Sequence, residues 1–297
     1  MRVVYSERYH VDIGPHVFRT VKYRLVHKCL QDYRVVPDEA FVLPVPASWA
    51  DLERVHTTSY LRKVRRGELS LTEAARLELP QSRATTEWSR LMTGGTVTAA
   101  RHAVKSGGAV HLGGGFHHAF ADHGEGFCMF NDAALAIRLL INDRLIDRVA
   151  VVDCDVHHGN GTAKIFEADP DVFTFSMHQG NNYPTEKPPG TLDLSLMDAT
   201  DDSAYLAQLS DALLAVMAHC PDLLVYLAGA DPYERDQLGG LALTKDGLRA
   251  RDRMVLATAR ENGVPVVVTL AGGYAYELTD TVDIHVATVE EAVAAFR

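Results

Sequence analysis

The chain is poor in cysteine and tryptophan, has no long uncharged run, and carries no excess of positive charge. Its four cysteines (Cys29, Cys128, Cys154, Cys220) show no C-x-x-C spacing and no disulfide-framework density, as expected for reduced thiols in a cytoplasmic enzyme. Nowhere do about 18 residues pass without a charge, so no membrane-spanning helix is expected. The opening MRVVYSERYH lacks the apolar stretch of a secretion signal. With 29 basic against 39 acidic residues the net charge is −10, which excludes a sequence-independent grip on DNA or RNA. The same balance suits cationic small molecules or basic peptides. No Gly/Ser/Pro linker, internal repeat or low-complexity stretch divides the 297 residues, 47% of which are hydrophobic. One domain with a large core is therefore expected, and no signal for an oligomeric state is present.

What is there is a repeating rhythm of short apolar runs and amphipathic segments. Strands are predicted at 109–112, 149–153, 172–177, 223–227 and 264–270, the last with Pro265 at its start. Helices are predicted at 131–145, 162–168, 203–219 and 245–262, the last opening after Thr244 as its cap. Continuous apolar runs such as VAVVD fit parallel strands buried on both faces. The pattern predicts an α/β fold with a mostly parallel central sheet and helices on both faces. Ligands of such sheets bind beyond the carboxyl ends of the strands, so chemistry is expected at the strand tails.

Four tails carry it. The first is HLGGGFHH, where three glycines give way to His117 and His118. The second, DCDVHHGNG, projects Asp153, Asp155 and His157 to one side of an extended chain. That O,O,N set suits a divalent metal, although an Asp/Asn/Gly-rich turn reads the same way. The third runs from LLVYLAGA into Asp231, either a helix cap or a further metal ligand. The fourth ends AGGY at Tyr274, which alone reads as a tight turn. The remaining histidines, His10, His16, His27, His56, His102, His123, His178, His219 and His285, lack partner spacing. The basic run at 62–66 reads as a solvated helix face, and Gly94-Gly95 as close helix–sheet packing, because no G-K-[ST] follows.

Taken together and in order, HLGGGFHHA, GFCMFND, VDCDVHHGNGT, AGADPYERDQLGG and AGGY resemble the histone deacetylase family of zinc-dependent amidohydrolases. The likeness runs from about residue 3 to 285, and HGNGT with AGADPYERDQLGGLALT is similar to the class IV branch and its bacterial relatives. It implies an arginase/deacetylase-like single domain over 1–297. By the same resemblance Asp155, His157 and Asp231 match the zinc ligands, and His117 and His118 the tandem histidines. Tyr274 matches the tyrosine that donates to the substrate carbonyl. Gly126, Phe127 and Tyr183 match the acyl-lysine tunnel, with Tyr183 in the variable segment 179–190. Asp153 and Ser176 match an inner potassium site.

The chemistry implied is hydrolysis of an N-acyl amide, with Zn²⁺ or Fe²⁺ activating water, His118 moving the proton and His117 oriented by Asp153. Where several relatives have aspartate this chain has Asn160, a neutral amide that orients His118 without stabilising its imidazolium by charge. Acyl-lysine in proteins or peptides is the expected substrate, with long acyl groups included because class IV members favour them. An acetylated polyamine is the alternative, and a catalytically silent acyl-lysine binding module is the alternative from another class. An arginase-like ureohydrolase needs further aspartates and histidines that are absent. Arg19 and Lys22 are read as surface charges.

Overall fold

The computed structural model describes residues 1–296. Its elements in chain order are β1 (Arg2–Val4), α1 (Val21–Asp32), β2 (Phe41–Val42), α2 (Trp49–Leu52), α3 (Thr58–Arg66), α4 (Leu71–Leu77), α5 (Arg83–Ser106) and β3 (Gly108–His111). They continue with α6 (Asp132–Asn142), β4 (Val149–Asp153), α7 (Asn160–Phe166), β5 (Val172–Gln179), β6 (Leu192–Leu196) and α8 (Asp202–Ala218). Last come β7 (Leu223–Leu227), α9 (Lys245–Glu261), β8 (Val266–Thr269) and α10 (Leu278–Ala295).

The apolar runs of β3, β4, β7 and β8 are buried along their whole length because helices cover the sheet on either side. All eight strands form one sheet in the order β2-β1-β3-β8-β7-β4-β5-β6, and every ladder is parallel. Helix α5 packs on β1, β3 and β8 beside α6, whereas α1, α10, α9 and α8 lie in a row. The domain is a single α/β unit, as the rhythm of the sequence predicts. Helix α9 is capped by the Thr244 side chain, which accepts from Gly247 N, and β8 begins just after Pro265.

Close packing explains Gly95, where a Cβ would fall 2.3 Å from both His111 Nε2 and the Tyr9 hydroxyl. Gly94 differs from expectation, since it abuts the backbone of Val45–Ala47 and not the sheet. The basic run ends α3 with Arg62, Arg65 and Arg66 exposed. Elements that the sequence pattern did not reveal are β1, β2, β6, α1, α2, α4 and α10, whereas the helical readings at 62–66 and around Gly94-Gly95 correspond to α3 and α5.

Candidate active site

The strand order places the four chemical tails side by side, because β3, β8, β7 and β4 are consecutive in the sheet. Each loop leaves a carboxyl end and turns across the same edge. The β3 loop is held by Asp132 in the first turn of α6, whose carboxylate accepts from Gly115 N at 2.9 Å and Phe116 N at 2.7 Å. That clamp presents His117 and His118, both buried.

The two imidazoles are neighbours with opposite surroundings. His117 Nδ1 donates to Asp153 Oδ2 at 2.6 Å, and the two Nε2 atoms are 3.1 Å apart. Burial opposes charge on His117, but Asp153 and Asp155 outweigh it and lift its pKa to about 9. His118 Nδ1 donates instead to the neutral Asn160 Oδ1 at 2.7 Å. Burial and the charges on His117 and His157 hold His118 well below the ordinary imidazole value. His117 thus faces carboxylates and His118 a neutral amide that leaves the His118 lone pair at Nε2, surroundings that suit the two rings to different parts in acid–base chemistry.

Beside them the ligand atoms of Asp155, His157 and Asp231 lie within 4.8 Å of one another. His157 Nδ1 is 2.9 Å from Asp155 Oδ1 and 3.5 Å from Asp231 Oδ2. Asp155 Oδ2 accepts from Gly272 N at 2.8 Å and Asp231 Oδ1 from Val156 N at 2.9 Å, so both carboxylates are fixed by backbone. Asp231 Oδ2 is buried with no hydrogen-bond partner. A Cβ at Gly272 would lie 1.9 Å from that oxygen and 2.6 Å from Asp155 Oδ2, so only glycine leaves the cradle open. Burial pulls His157 down, but bonds from Asp155 and Asp231 raise it to about 10. The trio demands a positive charge at this point, and an orphaned carboxylate oxygen with O,O,N donors fits a divalent ion.

Tyr274 is half-buried, with its backbone N–H donating to Asp236 Oδ2 at 2.6 Å. Burial and the Asp155 and Asp231 charges push its phenol well above the usual value, so it remains a donor. His117, His118, Gly126, Phe127, Asp155, His157, Tyr183 and Tyr274 all line one cavity. Gly126 adopts φ +50° there. The ring parallel to Phe127 is Phe18, at 6.0 Å, a wall residue that the sequence pattern did not signal. Tyr183 packs edge-on against His118 at 5.1 Å and His157 at 6.1 Å. Asp153 and Ser176 are register partners across β4 and β5. Both Asp153 oxygens are engaged, by His117 and by Asp155 N.

One expectation is corrected. Lys22 is not a surface charge but fully buried, with Nζ 3.3 Å from Ala271 O and 3.4 Å from Gly273 O. Its ammonium lies 5.4 Å from each of the Phe18, Tyr23 and Tyr274 rings, which replace water around the charge. Burial outweighs the nearby carboxylates and draws its pKa down to about 8. Arg19 is half-buried and reaches Ala275 O at 2.6 Å. Lys22→Met keeps the packing but frees the turn that carries Tyr274. It is expected to lower kcat by about tenfold or more with little change in Tm, as read by initial rates beside thermal unfolding.

Hydrolysis is the chemistry these groups suit, since paired imidazoles, a phenolic donor and Asp155 and His157 of the cation cradle line one cavity with several aromatic walls. The protein is thus a hydrolase. The histone deacetylase domain model matches residues 16–289, and the chain belongs to the histone deacetylase family, a metal-dependent family of amide hydrolases. An uncharacterized protein of Picosynechococcus sp. is 40% identical over 285 residues, covering 95% of each chain. Histone deacetylase 2 of Arabidopsis thaliana is 33% identical over 287 residues, covering 92% of this chain and 74% of its own. The crystal structure of acetylpolyamine aminohydrolase from Burkholderia pseudomallei shares the fold, with TM-score 0.81, 22% identity and coverage of 100% and 98%.

Proposed function

We propose that residues 1–297 form one zinc-dependent deacylase domain that removes acyl groups from lysine in proteins or peptides. The observation that carries this reading is the pair of buried histidines, one bonded to Asp153 and the other to Asn160, beside the Asp155–His157–Asp231 cradle. When bound, the ion supplies Lewis acidity towards the acyl carbonyl and an acidified water. His118 Nε2 accepts the water proton and returns it to the leaving amine, while His117, fixed by Asp153, contributes positive charge. Tyr274 donates to the carbonyl oxygen as negative charge develops there. Phe18, Phe127 and Tyr183 sheathe the aliphatic stem of the substrate.

The donor set suits zinc, or Fe²⁺, and a potassium ion beside Asp153 and Ser176 belongs to the same reading. The HGNGT segment supports the class IV branch. Four free cysteines support a cytoplasmic setting, and among the described residues no helix is long and apolar enough to cross a membrane. Net charge −10 and the exposed Glu78 beside the cavity favour a second substrate, an acylated small amine such as an acetylated polyamine. No basic surface for nucleic acid follows from this balance.

Amine release from an acyl-lysine peptide series, acetyl through myristoyl, beside N-acetylputrescine tests the assignment. Turnover of a peptide supports lysine deacylation, whereas reaction of the polyamine alone transfers the same chemistry to small amines. No reaction with any of them leaves a silent acyl-lysine binding module.

The acid limb of the rate profile follows from His118. The base works only when neutral, and burial, the His117 charge and a bound cation all lower its pKa. Half-loss of kcat/KM is therefore expected below pH 6.5, the ordinary value. Asn160→Asp adds a negative charge on His118 Nδ1–H and should move that limb upward. An unshifted profile would count against His118 as the base.

A further inference from the structure

Behind Asn160 stands a group that the sequence motifs do not single out. Asn160 Nδ2 donates to Glu125 Oε1 at 2.7 Å, while Asn160 Oδ1 takes the His118 Nδ1–H at 2.7 Å. The amide is thus a bridge between a carboxylate and the imidazole. Its orientation is fixed twice over, because Glu125 only accepts and Gly161 N–H donates to Oδ1 at 3.0 Å.

Glu125 also has cations nearby, but its shortest contact is the one to Asn160. Its side chain is 14% exposed, with Arg76 Nε at 4.0 Å and His123 Nε2 at 3.6 Å, both beyond the Asn160 contact. Burial disfavours its charge, but the neighbouring His123, the Asn160 hydrogen bond and Tyr183 outweigh it and keep the carboxyl below its usual range. An ionised acceptor polarises the amide and enriches Oδ1 in negative charge.

The geometry points to Glu125 as a positioning residue for the hydrolysis: through the Asn160 amide it orients His118 and relays the negative charge that a neutral partner lacks. The inference rests on His118 being the base of the proposed deacylation. Glu125 touches no reacting atom; in this role it acts through Asn160.

A double-mutant cycle with Asn160→Asp separates this role from a structural one. In the wild-type background Glu125→Gln should lower kcat by about tenfold and Glu125→Ala by up to about a hundredfold, with KM within about twofold. In the Asn160→Asp background two carboxylates face each other, so Glu125→Gln should leave kcat unchanged or raise it. Equal losses in both backgrounds would overturn the inference. So would a rise in KM at constant kcat, which would assign Glu125 to the tunnel wall through Tyr183. Thermal unfolding of each variant checks the fold.

A second readout needs no substrate. The His118 Nδ1–H proton signal of the full-length protein should shift in Glu125→Gln and Glu125→Ala, and an unmoved signal would overturn the relay. Failure of the wild type on every acyl substrate, with the signal still shifting, would sink the deacylase reading and leave the relay standing.

Discussion

Replacing His118 with alanine is expected to lower kcat by about 10²–10⁴-fold, the contribution of a positioned general base, while KM changes little. No neighbour can take over its task. His117, whose Nε2 is 3.1 Å away, is bonded through Nδ1 to Asp153, which with Asp155 raises its pKa to about 9, and His157 belongs to the cradle. Tyr274→Phe removes a donor and leaves the ring in the wall, so a smaller loss of about 10²–10³-fold is expected. Initial rates on an acyl-lysine peptide check both, with thermal unfolding confirming that each variant is folded. A His118→Ala enzyme within about threefold of wild type would remove the histidine from the mechanism.

The second large effect concerns the cradle. Asp231→Asn removes charge where Oδ2 has no partner, so retention of the metal should fail and turnover should drop to background. Elemental analysis after gel filtration reads the first, and rates the second. Proton linkage gives a further check with a definite sign. In metal-stripped protein Asp155 and Asp231 outweigh burial and raise the His157 pKa to about 10, while burial beside Asp155 raises that of Asp231 to about 7. Loading a cation should therefore release protons, and apparent affinity should strengthen by about tenfold per pH unit above pH 7 and more steeply below it. Affinity that is flat with pH, or full metal content in Asp231→Asn, would show that the ion sits elsewhere.

Much of the site lies at strand tails, which is why it was legible. Glycine runs, tandem histidines and the D-x-D-x-H spacing are local signals, and a parallel sheet brings such tails to one edge. The central strands were equally plain because they are buried on both faces and read as apolar runs. The outer parts carry weaker signals. β1 and β2 have three and two residues, and β6 is a sheet edge with Asp193 and Ser195 in its run. Helix α10 is rich in β-branched residues that resemble a strand.

The candidate site residues without a mark in the sequence are those whose partners come from distant loops. Lys22 meets carbonyls about 250 positions away, and a lysine buried among aromatic rings has no sequence mark. Phe18 reaches the tunnel from before α1. Glu125 and Asn160 are 35 positions apart and become a pair only when the tunnel loop folds over α7. An isolated glutamate before a glycine reads as solvated charge until that contact is seen.

The most direct test follows free amine from an acetyl-lysine peptide with protein stripped by a chelator and then reloaded with zinc. No release is expected from the stripped protein, full return on reloading the wild type, and no return in Asp155→Ala or Asp231→Asn. Amine released at the wild-type rate by the stripped protein, or by reloaded Asp231→Asn, would contradict a hydrolytic ion held by Asp155, His157 and Asp231.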